Sequence, residues 1–220
     1  MHDHDHHDHH HDDGHHNDAA SHAPPAKDEK IHSYYQILGL ALKELLIEKG
    51  VVSADEVRKA IELRDSITPA NGALVIAKAW TDPGYKQRLL ADGVAATREL
   101  GMEPGALNLV VVENTPRVHN VIVCTLCSCY PRNILGLPPS WYKSREYRAR
   151  VVREPRAVLA EFGMILPETI EVRVHDSTAD MRYLVLPLRP EGTDDLAESE
   201  LAALVTRDSM IGVTQVRSHS

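Results

Sequence analysis

The chain has 220 residues, of which 24 are Lys or Arg and 32 are Asp or Glu, and its formal net charge is −8. Residues 1–18 hold six Asp, nine His and no Lys or Arg, so the remaining 202 residues carry 24 positive and 26 negative charges. Such a balance of charges gives no basic field for binding nucleic acid or anionic membranes. No apolar run is long enough to span a bilayer, and the acidic N-terminus lacks the apolar region of a secretory signal. We therefore expect a cytoplasmic protein.

Residues 1–29 have a low-complexity composition that cannot bury apolar surface, which predicts a disordered tail and linker. Histidines alternate with aspartates in the tail, and imidazole and carboxylate groups are both donors for loosely bound Co²⁺, Ni²⁺ or Zn²⁺. A purification tag is the alternative origin, although a tag usually carries an unbroken run of histidines. The predicted auxiliary metal ligands are His2, His4, His6, His7, His9, His10, His11, His15 and His16.

Residues 30–101 show apolar residues at 3- and 4-residue spacings, which predicts a helical arm. Ser53 to Glu56 reads as a capping box that begins the second helix, whereas Pro69 and Gly72 interrupt the pattern before the third. The predicted helices are 34–49, one that begins at 54, 73–79, 81–90 and 92–100.

The spacing of apolar residues changes after Gly101, and runs of β-branched residues predict strands there. Residues 102–220 are therefore assigned to an α+β domain that carries the candidate site. The predicted order is a strand over 107–112, a turn over 113–116, a strand over 121–123, a loop over 130–140, a helix over 153–162, a strand pair over 170–175 and 182–186 joined by 176–180, and a helix over 194–206.

The three cysteines of the chain are Cys124, Cys127 and Cys129, in the spacing C-x2-C-x-C. They cannot form a disulfide framework, but three thiolates on one turn can face a single point and are soft donors for transition metals. The backbone nitrogens of Ser128 and Cys129 also lie within chelating reach. Such a set of two nitrogens and three sulfurs favours low-spin trivalent cobalt or iron over zinc, which prefers four side-chain donors.

Other interpretations of the cysteines remain open at this point. They can be small buried hydrophobic residues, or a zinc site in which His119 or His175 is the fourth ligand. An iron–sulfur cluster lacks its fourth cysteine, and a redox-sensing thiol pair is a further alternative.

The run from Val123 to Cys129 resembles the metal-binding claw of the nitrile hydratase α subunit, and the similarity extends over about residues 30–215. Only residues 1–29 fall outside it. Further matching segments are Glu113–Pro116, His119–Val121, Leu135–Pro139, Trp141–Ser144, Tyr147–Arg150, Arg153–Arg156, Asp176–Thr178, Arg182–Pro187 and Val205–Gly212.

The resemblance implies a layered α/β/β/α-type domain that binds one metal ion per chain. In the family Cys124 is a thiolate ligand, Cys127 is oxidised to sulfinate and Cys129 to sulfenate, a ladder that exposed thiolates of low pKa climb readily. The amide nitrogens of Ser128 and Cys129 complete the ligand set. Thr125 stands where iron members usually carry Ser, so the resemblance implies Co(III), with iron as the less favoured metal.

The resemblance also implies a β subunit, which supplies two arginines to the oxidised sulfurs. The expected assembly is an αβ heterodimer that dimerises again to a heterotetramer in the bacterial cytoplasm. The need for an activator or metallochaperone protein is open. The implied reaction is hydration of a small nitrile to its amide, with Cys127 and Cys129 as catalytic residues, and either a hydroxide or the Cys129 sulfenate oxygen is the nucleophile.

Arg132 departs from the family pattern, because many members carry Trp there. A guanidinium favours an anion over an apolar nitrile, which supports the alternative of a γ-type thiocyanate hydrolase subunit, a close relative with the same claw. A second alternative is a non-enzymatic cobalt storage or delivery protein. We place Arg132 and Thr125 at the substrate pocket, and Arg182 at the subunit interface or on a solvated strand.

Three further residues have assigned roles. Glu113 is a simple turn acid or an acceptor that supports a metal ligand. Trp141 and Tyr142 are expected to pack their loop rather than contact substrate.

Overall fold

The computed structural model describes residues 33–105, 108–126 and 129–217. The chain divides into two compact units, Met1–Ala54 and Asp55–Ser220. The predicted tail, residues 1–29, lies outside the described residues. The helices are α1 Tyr34–Glu48, α2 Ala54–Ser66, α3 Pro69–Thr81, α4 Pro83–Ala91, α5 Gly93–Glu99, α6 Arg132–Leu135, α7 Ser140–Lys143, α8 Arg145–Arg150, α9 Pro155–Glu161, α10 Glu198–Leu204 and α11 Arg207–Ile211, and the strands are β1 Asn108–Glu113, β2 Val118–Val123, β3 Glu171–Asp176 and β4 Met181–Leu186.

The third helix begins earlier than predicted. Pro69 occupies its first turn, where the missing N–H costs nothing, and Gly72 lies buried inside the helix rather than ending a segment. A Cβ at Gly72 would overlap Leu135 and lie 2.7 Å from the Met210 sulfur. The prediction that Pro69 and Gly72 break the helix was wrong, because the glycine permits close packing against α6 and α11.

The strands form two separate parallel pairs, β1 with β4 and β2 with β3. The predicted pairing of residues 170–175 with 182–186 was therefore wrong. A parallel pair needs a crossover connection of a dozen or more residues, and the segment with α6 to α9 provides it between β2 and β3. The short connection after β3 instead leads the chain to the other pair.

Two other segments differ from their predictions. The loop predicted over 130–140 contains the single-turn helix α6 and ends where the single-turn helix α7 begins, and both helices follow a proline at the N-cap. The helix predicted over 194–206 is shortened to α10, and α11 begins after Thr206, whose side chain accepts from the Ser209 N–H and caps this new helix.

The core of the second unit combines helices and both strand pairs. Val75, Ile76 and Leu89 from α3 and α4 are buried in one cluster with Ile122 of β2 and Leu184 of β4. Side chains buried this far contribute about 1.5–3 kcal/mol each. The fold is thus a mixed one of helices with small sheets, in which α3 to α5 share the core with the strands.

Candidate metal centre

The first cysteine of the motif lies at the end of a buried strand. Cys124 follows β2 directly and is only 1% exposed. Pairing of β2 with β3 places Val123 opposite Asp176, and the next N–H, of Ser177, donates to the Val123 carbonyl at 2.7 Å. Because carboxyl ends of parallel strands form a common edge, the local fold fixes Cys124 beside residues 176 and 177.

Thr125 is anchored to this edge through three hydrogen bonds. Its N–H donates to Oδ1 of Asp176 at 2.9 Å, and its hydroxyl donates to Oδ2 at 2.6 Å. Its carbonyl accepts from Nη1 of Arg148 at 3.3 Å. Hydrogen bonds to a carboxylate are stronger than neutral ones, so Asp176 and Arg148 hold the backbone at the start of the motif. Thr125, predicted at the substrate pocket, has its hydroxyl turned to Asp176.

Cys129 is half-buried, and an aromatic cluster holds its backbone. The Tyr142 hydroxyl donates to the Cys129 carbonyl at 2.9 Å, and the Tyr142 ring contacts Tyr130, Trp141 and Tyr147 with centroids 5.1, 6.0 and 5.7 Å apart. Burial raises the pKa of Tyr142 far above its ordinary value, so the phenol stays a donor. Trp141 and Tyr142 thus pack the loop, as expected.

Cys129 lines a cavity of about 530 Å³ together with Arg132, Lys143 and Arg182. No Asp or Glu lines it among the described residues. Arg182 is held in place, since its Nη1 donates to the carbonyls of Thr178, Ala179 and Met181. The structure thus brings Arg132 and Arg182 together with Cys129. Lys143 was missed, although it lies in the matching Trp141–Ser144 segment.

The two candidate zinc histidines are used elsewhere in the fold. His119 Nε2 donates to the Gly212 carbonyl at 2.7 Å, and its Nδ1 lies 3.2 Å from Asn114 Nδ2. His175 Nε2 donates to Asn120 Oδ1 at 2.8 Å. Within the part of the chain that is described, no three His, Cys, Asp or Glu side chains form a metal-binding group. Neither histidine therefore completes a zinc site with Cys124 and Cys129.

Burial lowers the pKa of both histidines, and the Arg173 charge lowers that of His175 further. Glu113 ends β1, where its carboxylate pairs with Lys86 and its carbonyl accepts from Asn120 Nδ2 at 2.8 Å. Cys127 and Ser128 lie outside the described residues. The described sulfur donors, Cys124 and Cys129, have the soft character that suits cobalt or iron.

Comparisons with known proteins all lead to one family and its relatives. Residues 33–214 match the family described as nitrile hydratase, alpha chain. The cobalt-containing nitrile hydratase subunit alpha of Pseudonocardia thermophila is 50% identical over 196 residues, which cover 87% of this chain and 95% of the relative. The thiocyanate hydrolase subunit gamma of Thiobacillus thioparus is 46% identical over 193 residues, covering 82% of this chain and 79% of the relative.

A solved structure is similar along nearly the same length. A double mutant of the Fe-type nitrile hydratase from Comamonas testosteroni Ni1 matches with a TM-score of 0.77 and 49% identity, covering 84% of this chain and 91% of that one. None of the helices in the described ranges is both long and apolar enough to cross a membrane.

Proposed function

The chain belongs to the nitrile hydratase α-chain family, and we propose on that basis that it is the α subunit of a cobalt nitrile hydratase. The enzyme hydrates R–C≡N to the amide by adding one water molecule. The observation that carries the proposal is the position of the cysteine motif: Cys124 is buried at a strand end, while Cys129 lines an open cavity. One end is thus suited to hold a metal and the other to receive a substrate.

We propose that the metal is Co(III), bound by Cys124 thiolate, Cys127 sulfinate, Cys129 sulfenate and the amide nitrogens of Ser128 and Cys129. When bound, the ion supplies Lewis acidity toward the nitrile or a water molecule. Asp176 fixes Thr125 and Tyr142 fixes the Cys129 carbonyl, so hydrogen bonds from the fold hold the backbone on both sides of the motif. Cys129 is the group that meets the substrate, and Cys127 acts beside it.

We further propose a β-subunit partner in an αβ pair that dimerises again, in the bacterial cytoplasm. Helix α1 supports a partner, because it has no buried side chain and exposes apolar residues along its length. They include Tyr34, Tyr35, Ile37, Leu38, Leu42 and Leu45. The α/β/β/α layering of residues 102–220, an interface role for Arg182 and the need for an activator protein are parts of the same proposal.

Elemental analysis, intact mass and activity of the chain co-expressed with its β partner test this function. We expect one cobalt per chain that resists chelator, three added oxygen atoms on the cysteines, and conversion of small nitriles to amides. Exchangeable metal with three unmodified thiols and no nitrile turnover would instead indicate the cobalt storage or delivery protein.

Thiocyanate hydrolysis is the second candidate function, and the position of Arg132 in the Cys129 cavity favours it. The relative from Thiobacillus thioparus carries that name. Release of carbonyl sulfide and ammonia from thiocyanate, with no turnover of nitriles, would establish this alternative.

We propose that the His-rich tail gathers divalent cobalt before its insertion. Deletion of residues 2–22 should then lower cobalt occupancy of the purified complex when cobalt is scarce and leave it unchanged when cobalt is plentiful. Equal occupancy of the deleted and full-length chains in scarce cobalt would contradict the idea.

A further inference from the structure

We propose that Arg132 and Lys143 form an anion-binding subsite in the Cys129 cavity, and that this subsite selects nitriles carrying a carboxylate. The inference rests on the proposed nitrile hydratase function and names its substrate class. The substrate group that the subsite binds is a carboxylate remote from the C≡N group. The C≡N group itself reacts beside Cys129.

The charge of the cavity is the first observation. Arg132, Lys143 and Arg182 line one cavity, and in the described part of the chain none of them forms an ion pair with an acid. Three other arginines of the second unit are paired with acids: Arg88 with Glu99, Arg150 with Glu161 and Arg173 with Glu171. Here three cations share one concave surface that no described Asp or Glu lines, so this surface is positive.

The geometry of the cations is the second observation. Arg132 begins α6 and Lys143 ends α7, and both side chains are exposed to the cavity side of the loop that carries them. The burial of Leu135 and Tyr142 on the same short helices fixes their backbone. An arginine fork binds both oxygens of a carboxylate and a lysine adds a point charge, so the pair suits one carboxylate.

The volume is the third observation. Cavities of about 300–1,000 Å³ accommodate molecules larger than the simplest nitriles, and about 530 Å³ falls in that range. A short chain that ends in a carboxylate therefore has room in addition to its nitrile group.

The cations have a competing role, which is to neutralise the anionic oxidised sulfurs of the claw. In that case they would affect all substrates equally, whereas a carboxylate subsite discriminates by substrate charge. The matched pair 3-cyanopropanoate and 3-cyanopropanamide separates the two roles, because the molecules have nearly the same shape and differ in charge.

The experiment uses the cobalt-loaded complex with its β partner. We expect a higher kcat/KM for 3-cyanopropanoate than for 3-cyanopropanamide, mainly through a lower KM, and a decrease in their ratio as salt is added. Arg132→Gln and Lys143→Gln should each reduce the ratio about tenfold, the effect of losing one charge-assisted contact. Arg145→Gln is the matched control, since Arg145 is exposed nearby but does not line the cavity.

Binding provides a readout that is independent of turnover. Propanoate, which has the carboxylate but no nitrile, should inhibit 3-cyanopropanamide hydration competitively and give a saturation-transfer NMR signal that Arg132→Gln weakens. Equal kcat/KM for the two nitriles, with both changed alike by Arg132→Gln, would overturn the subsite and leave the nitrile hydratase function intact. Turnover of thiocyanate alone would overturn both.

Discussion

Two polar regions of the second unit use their groups in opposite ways. The inter-sheet network, formed by Asn114, His119, Asn120 and His175, is neutral and its hydrogen bonds are made inside the protein. The Cys129 cavity carries Arg132 and Lys143, whose charges have no acidic partner among the described residues. Polar groups that the fold satisfies itself serve stability, and those it leaves unpaired in a cavity are available to a ligand.

The hydrogen bonds of the network explain why His119 is neutral. The Gly212 carbonyl is an acceptor only, so His119 Nε2 carries the proton and Nδ1 accepts from the Asn114 amide. Asn114 Oδ1 accepts from the backbone and side-chain nitrogens of Asn120, at 2.7 and 3.0 Å. A proton added to His119 would face another donor, and the ring would be charged in a buried site.

The largest loss of stability is expected from Gly212→Ala, a substitution beside the inter-sheet network. Gly212 has φ +91°, and a Cβ there would overlap the Asn120 carbonyl oxygen. Backbone strain together with this overlap should cost about 3 kcal/mol or more, a melting-temperature decrease of roughly 6–12 °C for the complex by calorimetry.

Gly163→Ala is the control for that substitution. Gly163 has φ +79°, but nothing lies within 4 Å of its Cβ position. It should cost about 1–2 kcal/mol from backbone conformation alone. Equal melting-temperature decreases for the two variants would show that the contact between Gly212 and Asn120 contributes nothing.

A pH dependence of stability is the next expected effect. Burial lowers the pKa of His119 and of His175 in the folded chain below the ordinary 6.5, so the unfolded chain binds more protons below that pH. Stability is complete above about pH 6.5 and falls as the pH decreases toward the folded pKa values, by up to about 1.4 kcal/mol per pH unit per histidine.

Urea unfolding of the complex between pH 7.5 and 5 measures this slope, and His119→Gln should reduce it. The slope rather than the absolute stability is the readout, because the substitution also removes hydrogen bonds. An identical slope in the variant would show that His119 does not titrate on unfolding.

A smaller change in the free energy of unfolding is expected at β3, which carries both His175 of the network and Asp176 beside the cysteine motif. Successive residues of β3 point to opposite faces, so His175 belongs to the network whereas Asp176 binds Thr125. A double-mutant cycle with Asp176→Ala and Thr125→Val should give a coupling of about 1 kcal/mol in urea unfolding. Both variants should also bind less cobalt, and additive unfolding energies would contradict a direct contact.

Much of the claw's setting was readable from the sequence, whereas its surroundings were not. The spacing of Cys124, Cys127 and Cys129 predicted the donors of a metal site, and β-branched runs located β1 and β2. Strand pairing depends on long-range packing, so the parallel partners of β3 and β4 left no local pattern. For the same reason Lys143 was missed, because only the folded loop brings α6 and α7 to one cavity.

The smallest expected effect concerns stability at the Cys129 cavity and completes the contrast with the network. Arg132→Gln and Lys143→Gln remove exposed charges that have no acidic partner among the described residues, so the free energy of unfolding should change by less than about 0.5 kcal/mol. Removing one of several like charges can even stabilise the chain slightly. Urea unfolding of the complex at low and high salt measures the change. A loss above about 1 kcal/mol would mean that the cations hold the fold together as the network does, and that the cavity is structural rather than a site for an anion.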